Sequence, residues 1–397
     1  MFQPLLGKRV IETTQVLAGP YCTYQLALMG AEVIKIEKPG EGDWARQGGN
    51  DAELSAAGLP FSFITQNAGK KSITLDLKSA EGLAILKQLV EGADIFVENY
   101  SPGTAARLGI GYDDLSAINP GLVYASMSAY GQDGPIGHRP AYDHIIQGMV
   151  GIMHTTGTPE TVPLKVGSPY VDYATGLMGA FAVSAALLER ERTGKGQRVD
   201  VAMLDTAMLL MASLAVSTMA TGNSPPPTGA EAFSRSPSSG TYQTADGHLG
   251  LAANNQAQFT RLCNALDLPH LLEDPRFAPG QPRKDNTDAL RAEFSAKFTE
   301  KTAAEWEDIL DRARVPATRV RKMHEVLSEG QIAARGLMHP TGLPGLDRQV
   351  AIPTLGFKAN GDVTAAQSQP PTLGQHTDEV LGALGLDIAK LRADGVV

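Results

Sequence analysis

Short runs of β-branched and apolar residues recur through the first third of the chain, each parted from the next by a helix-like stretch. That alternation constrains the fold more than any other feature. Val10-Ile11-Glu12 follows the polar Gly7-Lys8-Arg9, and Glu32–Glu37 alternates polar and apolar, with β-branched residues on one side. Further runs are Ser72–Asp76, Ala93–Val97 and Leu122–Met127. Between them lie the apolar Tyr21–Met29, closed by Gly30, and Ser79–Glu91. In the latter, Ser79 is a natural N-cap, and Leu83, Leu86, Leu89 and Val90 share one face. Strands that alternate with helices join by right-handed crossovers into a largely parallel sheet, so the expected class is α/β.

In such sheets, ligands bind beyond the carboxyl ends of the strands. Those ends carry Gln15-Val16-Leu17, Glu37-Lys38, Asp76-Leu77-Lys78, Asn99-Tyr100 and Ser128-Ala129-Tyr130. No G-x-G-x-x-G follows the first strand and no Walker A sequence occurs, so a dinucleotide or ATP site has no support.

A tight turn, Gly194-Lys195-Gly196, leads into a strand at Gln197–Val201 and a mostly apolar helix at Leu204–Met219. Composition then shifts. A Pro/Ser/Gly-rich linker at 222–236 divides a large Rossmann-like domain (1–221) from a smaller α+β domain (237–325). The smaller domain opens with two runs around Ala245-Asp246-Gly247, a hairpin signal, followed by helical patterns at Gln256–Leu266, Asn286–Phe298 and Ala303–Ala313. Residues 326–397 carry short strands and a final helix centred on Asp378–Leu384, and are expected to return to the large domain.

The formal net charge of −9, without a block of like charges, argues against nucleic acid as partner but leaves room for a local basic cluster that binds anionic small molecules. Cys22 and Cys263 stand far apart, which gives no disulfide framework and no metal-ligand spacing. The first residues lack a signal-peptide pattern, and runs such as Ala207–Val216 fall short of the roughly 20 residues of a membrane span. A cytoplasmic protein with no membrane partner is expected.

One carboxylate stands apart. Asp172 sits in Val166–Gly179, between the turn-like Gly167-Ser168-Pro169 and a long apolar helix from Tyr173 to Glu189. Alone it reads as an N-cap. The small residues Ala174, Thr175, Gly176 and Gly179 also admit the close approach of another chain or a ligand.

The ordered set of motifs resembles family III CoA-transferases. It comprises Gly7–Glu12 with Leu17-Ala18-Gly19-Pro20, Gly30–Pro39, Lys70–Lys78, Ala93–Tyr100, Leu122–Tyr130 with Gly131–Pro135, and the Asp172 segment. The resemblance implies a large domain built from both chain ends and an interlocked, ring-like homodimer. It implies that Asp172 is the nucleophile, and that Val16, Lys38, Leu75, Lys78, Asn99, Arg107 and Leu108 contact coenzyme A. Gln15, Leu17, Tyr130 and Gln147 would lie near the substrate or the oxyanion. Acyl-CoA would be a substrate, with no tightly bound cofactor and no metal. At a helix start, Asp172 is expected to have a lowered pKa.

The CoA donor is read as succinyl-CoA or a similar acyl-CoA and the acceptor as a small, dianionic acid. Arg46, Arg139 and Arg235 are equal candidates for a distal carboxylate. Trp44 is a further ligand candidate, and His144 reads either as a site residue or as a buried, satisfied histidine. Ser234–Gly240 lacks the consecutive glycines of the formyl-CoA transferase loop, which disfavours formate and oxalate and leaves Asp246-Gly247 and Ala253–Asn255 as candidates to cover the site. Two alternatives stand beside it: an α-methylacyl-CoA racemase, which shares the fold, and a non-catalytic acyl-CoA-binding protein. Racemases carry a G-H-D-I-N-Y segment, and Tyr142 replaces its histidine here. His144, two positions on, would face another way on most regular elements.

Overall fold

Strands β1 (Arg9–Glu12), β2 (Glu32–Glu37), β3 (Lys71–Thr74), β4 (Ile95–Glu98), β5 (Val123–Ser128) and β6 (Gln197–Ala202) form one sheet in the order β3-β2-β1-β4-β5-β6. Every neighbouring pair is parallel. A computed structural model gives these positions and describes residues 2–397. The order reverses between β1 and β4, where Val10 pairs with Val33 on one side and Ile95 on the other. Connections run outward in opposite directions from that point, which leaves a crevice at the carboxyl ends.

Successive strand residues point to opposite faces, so β1 serves two cores. Ile11 joins Ile34, Ile73, Phe96 and Tyr124 under the Ala80–Glu91 helix and the C-terminal Leu381 and Leu391. Val10 joins Val33, Ile95, Val123 and Met127 under the helices Ala18–Leu28 and Tyr170–Thr193. The alternation in β2 does not mean that one face is wet. Lys35 and Glu37 are buried, because both faces of this parallel strand are covered.

Local signals account for several boundaries. Ser79 Oγ accepts the Gly82 N–H at 2.9 Å and so begins its helix, as its sequence position predicts. The Leu204–Met219 stretch is two helices, Met203–Leu210 and Ala212–Thr221, bent by 80°. Neither proline nor glycine marks the break; Met211 leaves helical geometry there and is buried. The Tyr170–Thr193 helix is long and apolar enough to cross a membrane by length and composition alone, but its Gly176, Gly179, Ala180 and Val183 are buried within the fold. A Cβ on Gly176 would lie 2.9 Å from the Ala18 carbonyl oxygen, and one on Gly179 would lie 3.0 Å from Cys22 Sγ. These glycines therefore let two helices close on each other; a ligand does not occupy that space.

Two compact units divide the chain. The first contains residues up to Val150, Val166–Gly222 and Gly330–Val397. Its last part adds an antiparallel hairpin, Met338–Leu343 with Leu346–Pro353. The returning chain is tied in by the His376 N–H, which donates to the Ser72 carbonyl at 2.8 Å, and by the Tyr24 hydroxyl, which donates to the Pro353 carbonyl. The second unit contains Gly151–Lys165 and Asn223–Glu329. In it β7 (Ser239–Gln243), β8 (His248–Ala252) and β9 (Ala317–Arg319) form an antiparallel sheet. Tyr242, Phe259, Phe294, Phe298 and Trp306 fill its core, with the Trp306 indole N–H donating to the Phe298 carbonyl at 2.8 Å.

Candidate active site

Asp172 is the third residue of the Tyr170–Thr193 helix, and it is not the cap. Pro169 holds the cap position and offers no side-chain acceptor. The missing acceptor comes from another helix, Asp143–Met149. Asp143 Oδ2 accepts the N–H groups of Val171 at 2.8 Å and Asp172 at 3.2 Å. Gln147, one turn beyond Asp143, donates from Nε2 to Asp143 Oδ1 and accepts the Val166 N–H at 2.8 Å. Both side chains are buried. A carboxylate and an amide thus fix the chain where it enters the Asp172 helix.

The consequence for Asp172 is electrostatic. Burial, and then the neighbouring Asp143 carboxylate, push its carboxyl up to about 7. This reverses the expected lowering at a helix start. The N–H groups of the first turn are engaged by a second acid, which brings its own negative charge.

Asp172 lines a cavity of about 370 Å³ at the carboxyl ends of β1, β4 and β5, beside the reversal in strand order. Gln15, Val16, Leu17 and Ala18 follow β1, Asn99 and Tyr100 follow β4, and Ser128 ends β5. Arg139, Tyr142 and Thr175 also line this cavity. Gln15 and Asn99 lock together: the Gln15 N–H donates to Asn99 Oδ1 at 2.9 Å, and Asn99 Nδ2 donates to the Gln15 carbonyl at 2.8 Å. Val16 has φ of 71°, a left-handed backbone that β-branched residues rarely adopt.

The structure brings together Gln15, Val16, Leu17, Asn99 and Asp172, and leaves the other expected contacts outside this cavity. Lys38, Leu75, Lys78, Arg107 and Leu108 lie on segments that follow β2, β3 and β4. Lys38 is exposed and paired with Glu41, and Lys78 is exposed. Arg107 is exposed and donates to Thr104 Oγ1 at 2.7 Å. Leu75 is buried, and Leu108 packs at the edge of the core. Tyr130 is half-buried beyond β5. Gln147 acts on Asp143.

The three arginines separate. Arg46 is 5% exposed, holds both oxygens of Glu37 at 2.7 Å and lies over the Phe63 ring, so it is committed to the fold. Arg235 belongs to the second unit. Arg139 lines the Asp172 cavity. Trp44 is half-exposed, its ring 6.5 Å from that of Tyr142. His144 is exposed, contrary to the buried reading, and no histidine lines the cavity. The loop residues of the second unit serve local structure: Asp246 accepts the Ala303 N–H at 2.8 Å, Asn254 accepts from Ser234 and Ser239, and Asn255 caps the Gln256–Ala265 helix. Among the described residues no group of three or more His, Cys, Asp or Glu is placed to hold a metal.

The sequence reading missed Asp143. Its partners lie 28 and 29 residues away, and an acid that caps a distant helix leaves no spacing signature.

Comparisons with known proteins place the chain in a family. Residues 5–377 match CoA-transferase family III. The chain is 35% identical to the succinyl-CoA:glutarate CoA-transferase of Mus musculus, over 100% of this chain and 90% of the mouse protein. It is 38% identical to the acetyl-CoA:oxalate CoA-transferase of Acetobacter aceti, over 86% of this chain and 88% of that protein. The crystal structure of a CAIB/BAIF family protein from Brucella suis superposes with a TM-score of 0.85 at 33% identity, covering 97% of this chain and 100% of that one. Matched almost end to end in sequence and in fold, the chain belongs to CoA-transferase family III and is a CoA-transferase.

Proposed function

We propose that the protein moves CoA from succinyl-CoA, or a similar acyl-CoA, to a small carboxylic acid by way of covalent intermediates on Asp172. The observation that carries this reading is the position of Asp172: a half-buried carboxyl at the strand-order reversal, on a helix start pinned by Asp143. Ionised, Asp172 attacks the donor's thioester carbonyl; the C–S bond breaks and CoA leaves as thiolate, which gives a mixed anhydride. The thiolate then attacks the Asp172 carbonyl carbon, the donor acid leaves as carboxylate, and an aspartyl-CoA thioester remains. The acceptor carboxylate displaces CoA from that carbon, and the thiolate attacks the acceptor's own carbonyl in the new anhydride. Acyl-CoA product and free Asp172 result, with no net consumption of water or protons. Backbone N–H groups around Leu17 are the donors proposed for the developing oxyanions.

Coenzyme A enters as substrate, with no resident cofactor. Val16 and Asn99 flank its reacting end, and Lys38, Lys78 and Arg107 meet the more distant, charged part. The mouse relative's name pairs succinyl-CoA with glutarate, two diacid units. Arg139 supports a diacid here, since it is the one of the three candidate arginines that lines the Asp172 cavity. The Acetobacter relative's name pairs acetyl-CoA with oxalate, so oxalate belongs in the acceptor panel beside longer diacids. We also infer a homodimer. Leu177, Phe181 and Leu188 on the Asp172 helix, with Leu209, Val216 and Met219 beyond it, are 51–88% exposed, an apolar surface that suits a second copy of the chain.

The test is an acyl-CoA and free-acid panel followed by mass spectrometry, with Asp172→Ala as control and light scattering for the oligomer. Transfer from succinyl-CoA to a diacid, lost in the variant, supports the reading. No transfer with any pair, together with α-proton exchange into heavy water, would replace it with racemisation.

A further inference from the structure

Below the Gln15–Ala18 wall lies an array of charges that the transfer chemistry does not use. Asp43, Lys35, Glu12 and Lys70 have side chains that are fully buried. Lys35 Nζ sits 2.9 Å from Asp43 Oδ2 and 3.9 Å from Glu12 Oε1, and Lys70 Nζ sits 2.8 Å from the same Glu12 oxygen. Two acids and two lysines balance. Such buried pairs are weak contributors to stability, so their presence asks for another account.

The upper end of the array is attached to the strained turn. Asp43 Oδ1 accepts the Val16 N–H at 2.9 Å, and Lys35 Nζ donates to the Thr14 carbonyl at 2.6 Å. From the other side, Gln66 Nε2 donates to the Val16 carbonyl at 3.0 Å. Val16 is therefore gripped at both backbone polar groups while its φ is held at 71°. Left-handed backbone at a β-branched residue persists only where its surroundings over-determine it, and such strain gathers at functional sites. Here the turned segment is the wall that faces Asp172.

We infer that Asp43, anchored by Lys35, is a positioning residue that clamps Val16 in the left-handed conformation and so sets the Gln15–Ala18 wall against Asp172. The inference rests on the Asp172 reading. The clamp touches neither substrate nor nucleophile; it acts through the Val16 backbone.

Glycine adopts positive φ without strain, which supplies the test. The double variant Lys35→Met/Asp43→Leu removes the clamp and leaves no lone buried charge, because Glu12 keeps Lys70. Its kcat/KM for acyl-CoA is expected to fall about 100-fold, the scale of a small misplacement at a reacting centre. Adding Val16→Gly should recover at least about tenfold of that, since the turn then forms unaided; a purely structural role would not respond to that glycine. If the double variant fails to fold, Lys35→Gln/Asp43→Ala, which likewise removes the acceptor for the Val16 N–H but keeps a polar donor for the Thr14 carbonyl, is read with and without Val16→Gly in the same way. A folded double variant with wild-type kcat/KM, or a loss that glycine does not relieve, overturns the clamp. Labelling of Asp172 in the wild type by hydroxylamine is scored alongside. Labelled wild type with unresponsive variants refutes the clamp alone, and unlabelled wild type refutes the Asp172 reading.

Discussion

Asp143 Oδ2 accepts the backbone N–H of Asp172 at 3.2 Å, so the residue that secures the proposed nucleophile's helix also places a second negative charge beside it. The two effects can be separated by substitution. Asp143→Asn keeps an acceptor oxygen for Val171 and Asp172 but removes the charge. The acid limb of kcat/KM against pH should lie near pH 7 in the wild type, where Asp172 ionises, and should move lower in Asp143→Asn. A limb that stays in place would separate Asp143 from the ionisation of Asp172.

The same shift bears on stability. The Asp172 carboxyl ionises at about 7 in the folded chain against 3.8 ordinarily, so between those values the native state holds a proton that the unfolded state has lost. Its contribution favours folding at low pH, is lost as pH rises from about 4 to about 7, and is constant above. Asp172→Asn does not titrate. Its melting temperature relative to wild type should therefore be higher at pH 8 than at pH 4.5, as thermal denaturation at the two pH values would show. An offset that is equal at both would contradict the raised ionisation.

Arg139 is proposed to bind the far carboxylate of a diacid. Arg139→Ala should raise KM for glutarate or succinate by about 10- to 100-fold and leave a monocarboxylate such as butyrate within about twofold, because a site built for a charged partner discriminates strongly when that pairing is lost. Steady-state assays with both acceptors check it. Equal losses for the two acids would assign Arg139 a general role.

Arg46 should behave differently. It is buried against Glu37, so Arg46→Met leaves an uncompensated carboxylate and should cost about 3–5 kcal/mol in denaturant unfolding. The ratio of diacid to monoacid transfer should be unchanged in the protein that remains folded. A change in that ratio would bring Arg46 back into the site.

Much of the sheet was legible because short β-branched and apolar runs are parted by helix-like stretches and end at glycine, proline or polar turns. Ser79 and the hairpin around Asp246-Gly247 were visible for the same local reason. What stayed hidden depends on contacts distant in sequence. Lys35 looks like the wet face of β2, yet it is buried because Asp43, Thr14 and Glu12 reach it from separate loops and strands. Asp143 reads as an ordinary acid until the Asp172 helix is placed beside it. Val16 carries no residue-level hint of its left-handed backbone, where glycine would have been expected. In the site, sequence position brought Gln15, Val16, Leu17 and Asn99 to the crevice with Asp172, while the choice among Arg46, Arg139 and Arg235 needed burial and pairing in three dimensions.

The central claim is that Asp172 becomes acylated and then carries CoA. The most direct measurement is to charge the enzyme with succinyl-CoA, quench with hydroxylamine and map the hydroxamate by peptide mass spectrometry. The account predicts a hydroxamate at Asp172 that appears only after charging and vanishes when a good acceptor acid is added first. A hydroxamate at another residue, or none while transfer proceeds, would contradict it.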